Sequence, residues 1–201
     1  MKNGKPSIPI LILAAGESKR MGERVKQLLP WKNTTLLENA LAQARASQVE
    51  EVFVVLGAND EFIKKQTQLP DDICIYNENW SNGMGSSIVA GLKHLLSLPV
   101  EYDGMLVMLA DQPLIDAAYI DQVIDTWGKA RATITATGYE NGLGVPAMFD
   151  KCHFTELLKL TKDYGARHII NDSNIKIINP QGKEMDIDTW QDYQNMIQQL
   201  N

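Results

Sequence analysis
The sequence predicts an α/β protein: one domain, residues 1–201, of three layers, α/β/α, around a mostly parallel central sheet. Three observations predict it. The runs ILILAA, EVFVVL and MLVMLA are apolar throughout rather than alternating, as strands buried on both faces are. They alternate along the chain with stretches of helical periodicity, the order that builds a parallel sheet covered by helices. The chain has 201 residues and 44% apolar content, without repeat, low-complexity tract or linker. A chain of that size buries roughly 70% of its unfolded surface, enough for a core without disulfides or metal.

Each element follows in order. Ile8 to Ala14 reads as a buried strand. Thr35 to Ala46 reads as a helix: Leu37 and Leu41 share a face, and Thr34 or Thr35 supplies a cap. Glu51 to Leu56 is a second strand and Asp72 to Tyr76 a third, then a helix over Ser86 to Leu98, with Ser86 or Ser87 as its N-cap. Met105 to Ala110 is again strand and Asp116 to Lys129 helix. ATITAT and VPAMFD are β-rich. Short helices near Phe154 to Leu160 and Ala166 to Asn171, the strand IKII and a helix over Thr189 to Leu200 complete the chain.

Composition narrows the function. The net charge of −6 and a pI near 5.1 argue against nucleic acid or an anionic membrane as partner. The two cysteines, Cys74 and Cys152, have no zinc-type spacing and read as free thiols of a reducing compartment. The opening MKNGKPSIPILILAAG has too short an apolar run for a signal peptide, and nothing reaches the length of a membrane span. A cytoplasmic protein is expected.

In a parallel sheet, ligands gather beyond the carboxyl ends of the strands, so the segments just after strands matter most. After the first comes AAGESKRMGERVK, where glycines and cations meet: Gly16 and Gly22 with Lys19, Arg20, Arg24 and Lys26. Backbone N–H groups freed by glycine, plus mobile positive charge, suit a polyphosphate. The loop has neither the GK[ST] of a Walker A motif nor GxGxxG. On the residues alone, an ordinary βα turn with solvated cations stays equally open. A later strand ends in Asp111 of ADQP, which reads either as a Mg²⁺ ligand facing a phosphate site or as a turn-forming Asx. In EMDID, Asp186 and Asp188 lie two apart, so an extended chain puts both on one face. His94, His153 and His168 carry no ligand pattern.

LAAGESKRMGERVKQLLPW, NENWSNGMGSSIVAGL, ADQP, LTKDYGARHII and DIDTW, in this order, resemble the signature segments of the sugar-nucleotide and cofactor nucleotidyltransferases, the MobA-like NTP transferases. They are most similar to the branch that includes molybdenum cofactor cytidylyltransferase. The resemblance runs from residue 8 to about residue 195 and implies a Rossmann-like, GT-A-like fold. It implies that Ala14, Ala15 and Gly16 frame the nucleotide, and that Arg20 and Lys26 hold its triphosphate, with Arg24 simply solvated. Asn77, Gly83, Gly85 and Ser86 then lie by base and ribose, with Trp80 a packing residue. Asp111 and Asp186 ligate Mg²⁺ with Asp188 as ligand or neighbour, and Arg167 meets the acceptor. NGLGVPAMF lines the acceptor pocket or is a hairpin. Two positions depart from the family pattern: Lys162 replaces a glycine and Trp190 a proline.

The reaction so implied is cytidylyl transfer from CTP to a molybdopterin-type cofactor with release of pyrophosphate, serving a molybdenum hydroxylase. Ala15 points to a cytidylyl enzyme, since guanylyl relatives carry glycine there. A cytidylyl- or uridylyltransferase for a sugar or polyol phosphate is the next reading. A non-catalytic nucleotide-binding accessory protein is the third.

Overall fold
The computed structural model of the chain describes residues 5–130, 132–140, 142–161, 166, 169–170 and 174–200. The strands are β1 (Pro9–Leu13), β2 (Pro30–Trp31), β3 (Thr34–Thr35), β4 (Glu51–Leu56), β5 (Cys74–Tyr76), β6 (Gly104–Leu109), β7 (Ile134–Tyr139), β8 (Gly142–Asp150) and β9 (Ile175–Ile178). The helices are α1 (Leu36–Ala46), α2 (Asp60–Thr67), α3 (Met84–Ser97), α4 (Ala117–Ala130), α5 (Phe154–Leu157) and α6 (Trp190–Leu200).

The main sheet runs β5-β4-β1-β6-β8-β7-β9. All its neighbours are parallel except where β8 lies antiparallel between β6 and β7. The mostly parallel sheet and the two covering helical layers are as the apolar strands predicted. Along β1, Ile10 and Ile12 face one core, and Leu11 and Leu13 face the other. That alternation buries the strand on both sides and removes any polar face. The chain leaves β1 toward β4 on one side and later returns to β6 on the other. A crevice therefore opens beyond the carboxyl ends of β1 and β6, where such sheets bind ligands.

Local differences have physical causes. Helix α1 starts as expected, with a capping box between Thr35 and Glu38. Helix α3 begins at Met84, two residues before the predicted start, because Gly83 takes φ 91° at its N-cap, a conformation open to glycine. Strand β5 begins only at Cys74, since Asp71–Ile73 forms a 3₁₀ turn. Helix α4 begins at Ala117, with the Asp116 carboxylate accepting from the Tyr119 N–H at 2.9 Å. The described part of NGLGVPAMF, from Gly142 on, is the second arm of a β7–β8 hairpin, with a register shift at Ala136/Thr137. Helix α5 stops at Leu157. Half of the residues of the helix expected over Ala166 to Asn171 lie outside the described residues.

A third, smaller core sits off the sheet. It joins Met21, Leu29 and Trp31 of the loop after β1 to Ile187 and Met196 near the C-terminus.

Candidate functional site
The loop after β1 is held from within by Gln27, which is 4% exposed. Its Nε2 donates to the carbonyls of Ala14 at 2.7 Å and Gly16 at 2.9 Å. Its Oε1 accepts from Ser18 Oγ at 3.3 Å, and Ser18 Oγ accepts from the Lys26 N–H at 3.1 Å. Ser18 and Gly22 both have positive φ, so the turn folds back and brings Lys26 under the strand end. Sequence reading passed over Gln27; its signal was an amide inside an otherwise apolar QLLPW run.

Lys26 is the centre of the charged cluster, its side chain 16% exposed. Its Nζ donates to Asp111 Oδ2, and to Asp188 Oδ1 at 3.2 Å. Burial acts to lower its pKa, but the charges and hydrogen bonds of Asp111 and then Asp188 outweigh it, and the value is raised. Arg20 pairs with the other oxygen of Asp188 at 3.1 Å. Arg24 is not merely solvated: its guanidinium carbon lies 4.1 Å from the centroid of the Trp190 ring.

Asp111 stands just beyond β6. While Oδ2 meets Lys26, Oδ1 is buried without a hydrogen-bond partner. Asp186 and Asp188 flank Ile187, which is fully buried in the third core and whose N–H donates to the Asp111 carbonyl at 3.0 Å. With the residue between them turned inward, the two aspartates face the site together, as their spacing predicted. Gln112, 1% exposed, donates from Nε2 to Asp186 Oδ1 at 2.7 Å and also meets the Tyr139 hydroxyl. Much of the Asp186 residue is open to solvent, but the carboxyl itself is crowded. Burial, then the like charge of Asp111, push its pKa up to about 6. Gln112 and Tyr139 are further site residues that sequence reading missed.

Among the described residues, no three His, Cys, Asp or Glu side chains form a ready-made metal cluster. Two carboxylates and an unpartnered carboxylate oxygen still fit Mg²⁺, which keeps waters and takes its other ligands from substrate phosphates. Asp111 and Asp186 are the residues that could hold it.

A cavity of about 190 Å³ adjoins this cluster, between β1, β6 and the start of α3. Ala14, Ala15, Gly16, Gly83 and Met84 line it, with Lys26 and Asp111 at one end. Trp80 forms a wall and packs over Gly57, where a Cβ would come within 2.5 Å of the Trp80 Cβ and 2.9 Å of the Ala15 Cβ. A second, more polar cavity shares Gly16, Lys26, Trp80 and Gly83, and adds Arg20 and Asp188. A mainly apolar cavity thus adjoins a charged one, with Gly16, Lys26, Trp80 and Gly83 common to both.

Not every predicted contact lines these chambers. Gly83 does, but Asn77, Gly85 and Ser86 do not. Asn77 is 2% exposed and donates to Ser86 Oγ at 2.8 Å and Ser87 Oγ at 3.1 Å, while Ser86 Oγ donates to the carbonyls of Asn79 and Gly83. These groups build the turn and have their hydrogen bonds inside it. Ser87, one residue on, does line the cavity. Arg167, like Lys162, Asp163, Gly165 and His168, lies outside the described residues.

Residues 10–177 match the MobA-like NTP transferase domain. Nicotine blue oxidoreductase from Paenarthrobacter nicotinovorans is 34% identical over 131 residues, 65% of this chain and 62% of that protein. The purine catabolism protein PucB of Bacillus subtilis (strain 168) is 26% identical over 199 residues, 91% of this chain and 92% of that protein. Among solved structures, Rv0371c of Mycobacterium tuberculosis H37Rv in complex with manganese has a TM-score of 0.75 and 26% identity, covering 96% of this chain and 98% of that one.

Proposed function
From the premise that the chain belongs to the MobA-like NTP transferase family, we propose that it transfers a cytidylyl group from CTP to a molybdopterin-type cofactor and releases pyrophosphate. The observation that carries this reading is the apolar cavity walled by Ala15 that opens onto Lys26 and Asp111. The base enters the apolar chamber, and the triphosphate follows into the charged one.

In the reaction a phosphate oxygen of the acceptor attacks the α-phosphorus, the bond to the β-phosphate oxygen breaks, and the electron pair leaves with pyrophosphate. An ionised phosphate is already a nucleophile, so the site needs no histidine base. Lys26 and Arg20 neutralise the departing pyrophosphate, and the chain holds the reacting groups in line. Asp111 and Asp186 would hold a divalent cation, which would supply positive charge against the phosphate oxygens. Mg²⁺ is the proposed metal; that Rv0371c was solved as a complex with manganese supports a divalent ion. The product would serve a molybdenum hydroxylase in the cytoplasm, and no described helix is long and apolar enough to cross a membrane.

The testing assay incubates the protein and Mg²⁺ with each of the four NTPs against molybdopterin cofactor and several sugar and polyol phosphates, reading pyrophosphate. Release with CTP and molybdopterin alone supports the proposal. Release with a sugar or polyol phosphate replaces the acceptor, and binding without release leaves an accessory role. The likeness to nicotine blue oxidoreductase favours a second reading, electron transfer to a small heteroaromatic compound. Consumption of a nicotinamide cofactor without pyrophosphate release would establish it. The cluster of carboxylates and cations favours phosphate chemistry.

A further inference from the structure
The two charged halves of the site come from opposite ends of the chain. Arg20 and Lys26 sit on the loop after β1, and Asp186 and Asp188 on the segment before α6. The third core joins them, with Met21 and Leu29 from the loop against Ile187 and Met196 from the C-terminal segment. At its rim is a stack. The Arg24 guanidinium lies over one side of the Trp190 ring at 4.1 Å, and Tyr193 stacks with that ring at 5.0 Å and an interplanar angle of 29°. Arg24 is tied to its own loop by a hydrogen bond to the Met21 carbonyl at 3.4 Å, and the Tyr193 hydroxyl donates to the Pro30 carbonyl at 2.8 Å. Trp190 is two residues from Asp188, whose N–H is held by the Asp192 carboxylate at 3.2 Å.

Resting on the nucleotidyltransferase reading above, we propose that Arg24 and Trp190 are positioning residues. Their stack latches the C-terminal acid segment onto the cation loop and fixes Asp188 within reach of Arg20 and Lys26. Neither side chain lines the two cavities. They act through Asp188: Gln112 and the Ile187 N–H hold the Asp186 end of the segment, so losing the latch loosens the Asp188 end, and that carboxylate samples positions away from the phosphate chamber. A proline at position 190 has no ring face for Arg24, so this chain has built a contact that the family pattern does not supply.

The test measures binding of CTP in the presence of Mn²⁺, without acceptor, by calorimetry, with melting temperature recorded in parallel. Trp190→Ala and Arg24→Ala each weaken binding, by about two- to fivefold for the loss of an exposed cation–π contact. Trp190→Phe keeps a ring face and restores most of the affinity. In an Asp188→Asn background the carboxylate being positioned is gone, so adding Arg24→Ala or Trp190→Ala changes the affinity by less than about twofold, the coupling expected of residues that act as a unit. Equal losses in both backgrounds overturn the proposal, because the stack then serves the fold as a whole. Arg24 is an exposed side chain, so its cycle stands even where Trp190→Ala unfolds the protein. A wild type that binds no Mn²⁺·NTP overturns the functional reading and this inference together. A wild type that binds, with variants that bind as well, overturns the inference alone.

Discussion
The Lys26 ammonium rests on the Asp111 carboxylate, so the two groups neutralise each other. On the proposed function, in which Lys26 meets the triphosphate and Asp111 the metal, each changes partner when metal and nucleotide bind. Lys26→Met therefore has two opposite effects. Affinity for Mn²⁺ alone rises, because Asp111 and Asp188 lose their competing cation. Affinity for Mn²⁺·CTP falls, and turnover drops on the order of 10²-fold, as when a fixed charge-stabilising group is removed. Calorimetry with and without nucleotide separates the two. Parallel losses in both titrations would show that Lys26 supports the fold rather than exchanging partners.

Asp111→Asn removes the charge but keeps the shape. The chain should fold, since the Asp111 carbonyl still accepts from the Ile187 N–H. Turnover should fall by orders of magnitude at limiting Mg²⁺. Activity near wild type would remove Asp111 from the metal site.

Gln27 tests the architecture of the loop rather than its charge. Gln27→Leu leaves the buried Ala14 carbonyl and the more exposed Gly16 carbonyl without their amide donor. Orphaning the buried Ala14 carbonyl costs about 1–3 kcal/mol, while water reaches that of Gly16. The expected result is a lower melting temperature together with weaker nucleotide binding. A variant as stable as wild type would mean that water replaces the amide freely.

The sheet and its layers were legible because an uninterrupted apolar strand has only one use in a fold of this size. The acid segment was legible too, since Asp186 and Asp188 alternate about Ile187 in register with a buried position. The stack of Arg24 on Trp190 was not. It joins residues 166 positions apart, and no local pattern links an arginine in a charged loop to a tryptophan at a helix start. Gln112 and Asn77 show the same limit in opposite directions. Gln112 carries no site signal in the sequence, yet it holds Asp186. Asn77 looked like a ligand contact, yet its amide is spent on Ser86 and Ser87. Which way a short amide turns depends on tertiary neighbours that spacing does not encode.

The Asp186 carboxyl gives a pH signature. Its folded pKa is pushed up to about 6, above the ordinary carboxyl value near 3.9. As pH rises between those values, the unfolded chain ionises first, so the metal-free protein loses stability from about pH 4 to about pH 6 and then levels. Asp116 and Asp192 have lowered pKa values and pull in the other direction. The informative quantity is therefore the melting temperature of wild type minus that of Asp186→Asn. That difference should fall across the window, and excess Mg²⁺ should flatten it by favouring the ionised form. A difference independent of pH would place the Asp186 carboxyl in ordinary solvent.

On the proposed function, base choice turns on Ala15. Its methyl group lies at the cavity wall, in the corner that Trp80 closes over Gly57. A methyl against the base leaves less room than glycine, which favours a pyrimidine over a purine. One methyl-sized contact is worth about 1–3 kcal/mol, or roughly 10- to 200-fold in kcat/KM. Preference for CTP over GTP should therefore be strong but leaky. Ala15→Gly should relax it without making a good GTP enzyme, because Trp80, Gly83 and Met84 still bound the chamber. Gly57→Ala should act on the same corner from behind, since its new methyl would displace Trp80 toward the cavity and weaken binding of either base. The measurement is kcat/KM for CTP and GTP with one acceptor in wild type and both variants. Equal use of the two nucleotides by wild type would end the cytidylyl assignment and leave nucleotidyl transfer without a chosen base.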